Sequence, residues 1–240
     1  MITLTRTLFV VAAILLLNIG QASAVLVVPT GIETFHRGDS NSPGNGSNWK
    51  VLDGSGMTKP DAADPATWTV SNTAWANDWQ GFSTPNGTNR TWAVLDLGAA
   101  TPDLDTMYLW NVQETNALTR GMNAFDIYYA TNPSVAPPAT SGSVTNYDFG
   151  SGGWTLLSSE TIAQGTQNGD SGQTYDVSGA AGAQFIGFKM NSNHGGNRVG
   201  FAEVAFTTEP SSDSGVPEPA TAALALMGMA GLAIRRRRTA

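Results

Sequence analysis

Hydrophobic positions fall into two kinds of segment, long apolar runs near the termini and short runs between them. Residues 8–17 form an unbroken apolar run, and residues 222–234 form another. The chain between them holds short runs rich in aromatic and β-branched side chains, at residues 92–97, 106–112, 124–129, 153–157, 184–190 and 200–206. Long stretches with the 3.6-residue helical period are missing there. The pattern predicts an all-β central domain with a hydrophobic helix at each terminus.

The run at residues 124–129 shows the alternation expected of a half-buried strand. Phe125, Ile127 and Tyr129 share one face, and Asp126 and Tyr128 lie on the other. Short strands of this kind, joined by segments rich in Gly, Ser, Thr and Asn, are typical of an antiparallel sandwich or barrel. Long connections are predicted at residues 29–48 and 132–153, and a flexible linker at 209–215.

The N-terminal apolar run has the features of a secretory signal peptide. Arg6 supplies a positive charge before it, and the run is too short to span a bilayer stably. Ala22-Ser23-Ala24 places small residues at the −3 and −1 positions of a cleavage site. We expect residues 1–24 to be removed by cleavage after Ala24, so that the mature chain begins at Val25. The alternative is an uncleaved N-terminal anchor.

The C-terminal apolar run is bracketed by Pro217-Glu218-Pro219 and by four arginines at residues 235–238. A short apolar helix followed by basic residues stays in the membrane, with its charges on the cytoplasmic side. This ordered combination resembles the PEP-CTERM sorting signal of Gram-negative bacteria. The resemblance implies transient anchoring in the inner membrane by a transmembrane helix. It also implies recognition by an exosortase, a membrane cysteine protease that would remove the tail near Pro217–Pro219.

These assignments divide the chain into a signal peptide (1–24), a β-sandwich domain (25–208), a linker (209–215) and a sorting signal (216–240). The expected destination is the cell surface or the extracellular matrix of a Gram-negative bacterium, after export across the inner membrane. All 19 acidic residues but only seven of the 12 basic ones lie between Val25 and Pro219, so this part carries a net charge of −12. Such a charge repels nucleic acid and anionic lipid.

The sequence lacks the motifs of common enzymes. It has no cysteine, which excludes disulfides, thiolate zinc sites and cysteine nucleophiles. Its two histidines, His36 and His194, form no His-Glu-x-x-His pattern, and no Gly-x-Ser-x-Gly elbow or phosphate loop is present. Asp103 and Asp105 could serve as the paired carboxylates of a glycosidase, but so near a strand start we interpret them as turn residues. We therefore expect no enzymatic activity.

A second set of motifs extends through the central domain. In order, it consists of Asp53-Gly54 with Thr58, residues 92–98, Arg120 ahead of residues 125–131, Trp154, and residues 200–204. Their order and spacing resemble a discoidin, or coagulation-factor C-type, domain. They are also similar to bacterial carbohydrate-binding modules with the galactose-binding jelly roll. The resemblance implies an antiparallel jelly-roll β-sandwich of eight strands.

The same resemblance implies one structural calcium ion near the end of the sandwich. The implied ligands are oxygens of Lys50, Asp53, Ser55, Thr58, Ala202 and Glu203, with carbonyls from Lys50 and Ala202. Six oxygens that include two carboxylates suit Ca²⁺, although Ser55 stands where the family more often has Asp or Asn. The ion would tie the first turn to the last strand. The alternative is an Asx turn at Asp53 and a surface glutamate at Glu203.

Candidate ligand-binding residues lie in two polar segments. Trp68, Trp75 and Trp79 occupy an Asn-rich stretch that does not resemble a core strand, and exposed aromatic rings stack on sugars. His194, Asn197 and Arg198 precede the last strand and can donate to sugar hydroxyls. For Trp75 and Trp79 a core position is an equal alternative, and His194 has the alternative of a solvated loop residue. We expect Trp92, Trp110 and Trp154 in the core.

Together these features predict an exported, exosortase-sorted protein whose domain binds envelope or matrix polysaccharide without catalysis. Nucleic acid is not an expected partner. Two alternatives stay open: a structural biofilm-matrix protein without a specific ligand, and a glycan-active enzyme on a jelly-roll scaffold.

Overall fold

Strands form at each of the short hydrophobic runs. The computed structural model describes residues 24–36, 48–86, 89–140 and 142–209. The strands of this part are β1 (Leu26–Val27), β2 (Gly31–Thr34), β3 (Met57–Thr58), β4 (Thr69–Val70), β5 (Trp79–Gly81), β6 (Trp92–Thr101), β7 (Leu104–Asn111), β8 (Ala124–Ala130), β9 (Thr155–Thr161), β10 (Gln173–Asp176), β11 (Ala183–Met190) and β12 (Val199–Thr208). The six predicted runs correspond to β6, β7, β8, β9, β11 and β12, which confirms the all-β prediction.

Short 3₁₀ helices occupy several connections, at Asn48–Val51, Pro65–Thr67, Trp75–Asn77, Leu118–Arg120 and Ser178–Ala180. No helix within residues 24–209, as far as they are described, is long and apolar enough to cross a membrane. The predicted signal helix, the linker beyond Glu209 and the transmembrane sorting helix lie outside the described residues.

Two antiparallel sheets pack as a sandwich. One sheet has the order β1-β12-β7-β10, with β5 also paired to β12, and the other has the order β2-β6-β11-β8-β9. The strands β3 and β4 form a separate ladder. Because β11 lies between β6 and β8, and β12 lies between β1 and β7, sequence neighbours are seldom sheet neighbours. The predicted antiparallel jelly-roll β-sandwich is therefore confirmed, although each sheet has five strands, so the sandwich exceeds the eight strands that the resemblance implied.

The main core lies between the two sheets and is built from the inward positions of the long strands. On β8, Phe125 packs edge-on against Phe188 of β11 at 5.7 Å and against Tyr175 of β10 at 5.5 Å. Phe201 of β12 contacts Phe188 in the same way at 5.9 Å. Buried aromatic pairs of this kind add to the hydrophobic stabilisation of a core.

A second, smaller cluster covers the outer side of the sheet that contains β12. Here Trp68 stacks on Trp110 at a ring distance of 6.0 Å, and Ala202 and Ala205 complete the packing. As a result β12 is buried on both sides, from Val199 to Thr207. A polar side chain that leaves this strand, such as that of Glu203, therefore enters the protein interior.

Several sequence-based expectations need correction. Trp68 and Trp79 are 2% and 1% exposed, so the Asn-rich stretch is not uniformly a surface segment. The rings are buried because the short strands of this stretch pair, β4 with β3 and β5 with β12. The segment predicted as a loop at residues 29–48 contains β2, which adds an edge to the second sheet. Trp92, Trp110 and Trp154 pack in or against the core, as predicted.

Candidate functional site

The turn at residues 53–59 and the side chain of Glu203 on β12 meet, and we call this contact the turn–strand junction. The Gly54 amide donates to Glu203 Oε2 at 2.8 Å, across 149 positions of sequence. Gly54 has a φ of +74°, a left-handed conformation that glycine adopts without strain. The pairing of β12 with β7 shifts register between Phe201 and Glu203, which is where this side chain leaves the strand.

Glu203 is a buried carboxyl group with incomplete hydrogen bonding. It is fully buried, and among the described residues its Oε1 atom has no hydrogen-bond partner. Burial raises the pKa of Glu203 well above its ordinary value, although the charge of Lys59 and the Gly54 amide act in the opposite direction. The charge of Asp53 raises this pKa further. The alternative of a surface glutamate is therefore wrong.

Asp53 forms the Asx turn that the alternative interpretation expected, because its Oδ1 accepts from the Ser55 amide at 2.7 Å. The side chain is exposed, as is that of Thr58, whereas Ala202 is buried beside Glu203. No group of three or more His, Cys, Asp or Glu residues suited to a metal occurs in the described part. A cation here would thus need carbonyl and hydroxyl oxygens as well as the two carboxylates, a donor mixture that Ca²⁺ accepts. The unpartnered Glu203 Oε1 fits that chemistry.

Lys59 belongs to the same junction, although no sequence pattern pointed to it. Its Nζ donates to the Asp53 carbonyl at 3.1 Å and lies 4.0 Å from the ring centre of Trp68. Its side chain crosses Gly54, where any Cβ atom would collide with Nζ. A lysine six positions after an aspartate carries no recognisable signal, so only the fold shows this contact.

A second polar centre is organised by Asp78 and the loop at residues 113–120. Asp78 is 2% exposed, and its Oδ2 accepts from the amides of Gln113 and Glu114, both at 2.8 Å. Burial raises the pKa of Asp78 to about 7, against the lowering effect of these two amides and of a hydrogen bond with Gln80. The carboxyl group therefore fixes the backbone of the loop that follows β7.

Side chains of the 113–120 loop extend this centre to the neighbouring loops. Glu114 Oε2 accepts from Gln80 at 2.7 Å and from Arg120 at 3.3 Å. Arg120 Nε donates to Asn197 at 3.2 Å, and Gln113 donates to Asp170 at 2.7 Å. These contacts connect three loops into one hydrogen-bonded network. None of its members except Asn197 was predicted as functional, since isolated polar residues have no periodic pattern.

Trp75 and Trp79, which the sequence could not separate, have opposite environments. Trp75 is 41% exposed, and the nearby Thr73 hydroxyl lies 3.0 Å from that of Thr115 in the 113–120 loop. Trp79 packs edge-on against Phe35 and Phe201, and its indole nitrogen donates to the His36 carbonyl at 3.0 Å. This burial rules out the predicted stacking role of Trp79.

The other candidates lie on the loop before β12. His194 is half-buried, with Nε2 3.0 Å from the Ile162 carbonyl, so this ring supports the loop rather than being freely solvated. Asn197 is exposed and accepts from Arg120. The Arg198 guanidinium lies 3.6 Å from the ring centre of Phe82, an aromatic residue that the sequence analysis did not single out. Arg198 therefore lies on an aromatic ring, next in sequence to the exposed Asn197.

The two carboxylates considered for glycosidase chemistry are both turn or strand-edge residues. The Asp103 carbonyl accepts from the Glu209 amide at 2.8 Å, and Asp105 accepts from the Thr106 hydroxyl at 2.8 Å. Asp105 lines an open cavity of about 360 Å³ together with Tyr175, Asp176 and Glu209. Asp103 does not line this cavity.

Residues 215–238 match the family model of the PEP-CTERM protein-sorting motif. The chain carries a PEP-CTERM sorting signal. The PEP-CTERM signal implies export, processing by an exosortase and membrane-anchored sorting to the surface, as predicted from Pro217, Glu218 and Pro219. A comparison with curated proteins finds no significant match.

Solved structures with a similar sandwich include a SusE-like protein and two carbohydrate-binding modules. A SusE-like protein is 15% identical, with 79% of this chain and 68% of that chain covered and a TM-score of 0.47. The family 32 carbohydrate-binding module of AlyQ, in complex with 4,5-unsaturated mannuronic acid, is 16% identical (75% and 96% covered, TM-score 0.41). The family 32 module of C. perfringens NanJ, in complex with galactose, is 12% identical (77% and 99% covered, TM-score 0.42). Similarities at this level carry no information about the ligand of this chain.

Proposed function

We propose that the central domain is a non-catalytic binding module for a polysaccharide of the cell envelope or extracellular matrix. The observation that carries this proposal is Trp75, an indole ring with 41% exposure on a segment tied to the polar network. Leaving a large apolar ring in water is unfavourable, and such rings form stacking platforms for sugars.

The surroundings of Trp75 favour a pre-organised binding surface. Asp78 closes the 3₁₀ turn at Trp75–Asn77, and its amide donates to the Trp75 carbonyl at 3.2 Å. The same Asp78 carboxyl group holds the 113–120 loop, which in turn contacts Asn197 through Arg120. Loops fixed before binding lose less entropy when a ligand arrives. A polysaccharide would stack on Trp75 and accept or donate hydrogen bonds at Asn197 and Arg198.

The calcium site belongs to the same proposal as a structural element. The residues that would hold the ion are Lys50, Asp53, Ser55, Thr58, Ala202 and Glu203. Bound Ca²⁺ would supply positive charge to two carboxylates that repel one another. What supports the site is the junction between the Asp53 turn and Glu203, with its unpartnered Oε1. The protein residues themselves orient the turn on β12, because the Gly54 amide already contacts Glu203.

Binding of the processed protein to a panel of neutral and acidic polysaccharides tests the proposal. Trp75→Ala should weaken binding at least tenfold and change the free energy of unfolding by no more than about 0.5 kcal/mol. The matched variant Trp79→Ala removes the same side chain from the core and should lower the free energy of unfolding by about 3–5 kcal/mol. Trp75→Phe should keep part of the affinity, because a phenyl ring also stacks.

Other outcomes would support the alternatives. If no polysaccharide binds, the structural matrix protein is favoured. If a bound polysaccharide is shortened or modified, the domain is an enzyme. Equal affinity of Trp75→Ala and the unmodified protein would place the binding surface elsewhere.

A further inference from the structure

Lys59 carries a positive charge into the turn–strand junction. Its ammonium group is held on one side by the Asp53 carbonyl, at 3.1 Å, and on the other by the face of Trp68, at 4.0 Å from the ring centre. A lysine over an indole face is attracted by the electron density of the ring, and more strongly where water is excluded. Trp68 is 2% exposed, so this face is part of the protein interior.

The backbone of the turn is adapted to this lysine. Its side chain runs directly over Gly54, and a Cβ atom at that position would overlap Nζ and Cε. Gly54 suits this turn because its φ of +74° is free of strain in glycine, and because the absence of a Cβ atom leaves space for the flexible end of Lys59. The lysine is therefore an integral part of the turn, whereas most surface lysines extend into solvent.

Glu203 is the group that needs this charge. Its carboxyl group is fully buried, and among the described residues Oε1 has no hydrogen-bond partner. Its Oε2 accepts the amide of Gly54, the residue that the side chain of Lys59 crosses. The Lys59 ammonium group thus lies beside the turn residue that binds Glu203.

We propose that Lys59 is the resident cation of the turn–strand junction, and that calcium bound by Asp53 and Glu203 displaces it. This inference rests on the calcium site proposed above. A divalent cation beside Glu203 would repel the ammonium group, because like charges interact strongly where water is excluded. It would also neutralise the carboxylates that attract Lys59. The long side chain can swing into solvent by giving up two contacts, the hydrogen bond to the Asp53 carbonyl and the contact with the Trp68 ring.

Two consequences follow from the displacement. Without metal, Lys59 keeps the turn on β12, so the junction does not depend on calcium for assembly. With metal, part of the binding free energy is spent on expelling the ammonium group, so the affinity for calcium is lower than the oxygen ligands alone would provide. Lys59 therefore sets the calcium concentration at which the junction changes its cation.

Nuclear magnetic resonance of the lysine side chains observes the displacement directly, because the chain has only three lysines, Lys50, Lys59 and Lys189. In the metal-free processed protein, the ring current of Trp68 should shift the ε-methylene signal of Lys59 upfield. The signal is assigned by its loss in Lys59→Met. Saturating calcium should return it to the position of a solvated lysine. An unshifted signal before calcium is added, or an upfield signal that persists at saturation, would overturn the proposal.

Calorimetry with calcium provides an independent measurement. Lys59→Met keeps the stem of the side chain and removes its charge, so it should bind calcium at least tenfold more tightly. In chelator it should melt at a lower temperature than Lys189→Met, which removes the same charge from β11 in the other sheet. Equal affinity of Lys59→Met and the unmodified protein would refute displacement by calcium. If neither protein binds calcium, the calcium site itself is refuted, and the displacement with it.

Discussion

Two buried carboxyl groups, Asp78 and Glu203, organise two regions of the sandwich in different ways. Asp78 is 2% exposed, and one of its oxygens accepts two backbone amides at 2.8 Å. Glu203 is fully buried, but Oε2 accepts the Gly54 amide whereas Oε1 has no partner among the described residues. Burial raises the pKa of both groups, to about 7 for Asp78 and well above the ordinary value for Glu203.

The difference lies in how many partners the fold supplies. The hydrogen bonds of Asp78 come from the loop that it fixes, so this carboxyl group can serve a structural role without an ion. Glu203 lacks such partners, and a buried carboxylate with an unpaired oxygen is costly. The proposed cations, Lys59 and calcium, would compensate for this cost. Similar burial thus anchors a loop through Asp78, whereas at Glu203 it leaves an oxygen that the proposed cation would bind.

The largest expected effect is the loss of the Asp78 acceptor. Asp78→Ala leaves the amides of Gln113 and Glu114 without their partner, and each unsatisfied buried donor costs about 1–3 kcal/mol. At pH 5, where the Asp78 carboxyl group is mostly neutral, denaturant unfolding should show a loss of about 3 kcal/mol. Asp78→Asn keeps an acceptor oxygen and should cost less than about 1 kcal/mol. If the two variants are equally stable, the hydrogen bonds do not anchor the loop.

The response to calcium should distinguish the region around Glu203 from the region around Asp78. At a hundred times its dissociation constant, calcium should add about 2.7 kcal/mol to the free energy of unfolding. The increase should vanish in Glu203→Gln and in Asp53→Asn, and the double variant should lose little more, because both residues act through one ion. Asp78→Asn should keep the full response.

Thermal melting with chelator, calcium and magnesium measures this response. Magnesium should substitute poorly, because it prefers a small octahedral site and dehydrates reluctantly. A melting temperature that ignores chelator, in protein shown to be metal-loaded at the start, would contradict the calcium site.

Measured over a single pH unit, the smallest expected change in stability is the one that Asp78 contributes. Its pKa is about 7 in the folded state, against an ordinary value of 3.8, so the folded protein binds this proton more tightly than the unfolded chain. The contribution of Asp78 is therefore complete below about pH 4 and is lost as the pH rises towards 7, by up to about 1.4 kcal/mol per pH unit. Above pH 7 it should not change further.

Asp78→Asn isolates this contribution from that of other carboxyl groups. Denaturant unfolding at intervals between pH 4 and pH 8 should show a shallower decline for Asp78→Asn than for the unmodified protein. Glu114 carries the nearest negative charge and is paired with Arg120, so Glu114→Gln should move the midpoint to lower pH. Parallel profiles for Asp78→Asn and the unmodified protein would contradict the raised pKa.

The sequence was sufficient for the elements whose signals are local. Alternation of the kind seen at residues 124–129 places β8 correctly, because side chains on a strand alternate between faces and one face here is buried. The short strands β2 and β10 were missed, since each contributes a single buried hydrophobic residue, Ile32 and Tyr175, to the core. The sorting signal is also local, which is why Pro217-Glu218-Pro219 and the arginines identified it.

Only part of the candidate site could be predicted from the sequence. The resemblance to discoidin-like domains brought Asp53 and Glu203 to one place, and the fold places the turn on β12 as that resemblance implied. It did not indicate Lys59, whose contact with Trp68 spans the paired strands β3 and β4. Asp78 gave no signal either, because its partners come from a loop 35 positions away.

Trp75 and Trp79 show the boundary between what the sequence determines and what the tertiary structure decides. Both stand in the same polar stretch, four positions apart. The sequence alone shows that the stretch is polar but does not indicate which ring is buried. The tertiary structure decides it, since the pairing of β5 with β12 places Trp79 against Phe201 in the core, whereas Trp75 precedes that pairing and stays 41% exposed. Local periodicity determines where strands form, but burial depends on which distant strands pack together, and no short segment of sequence contains that information.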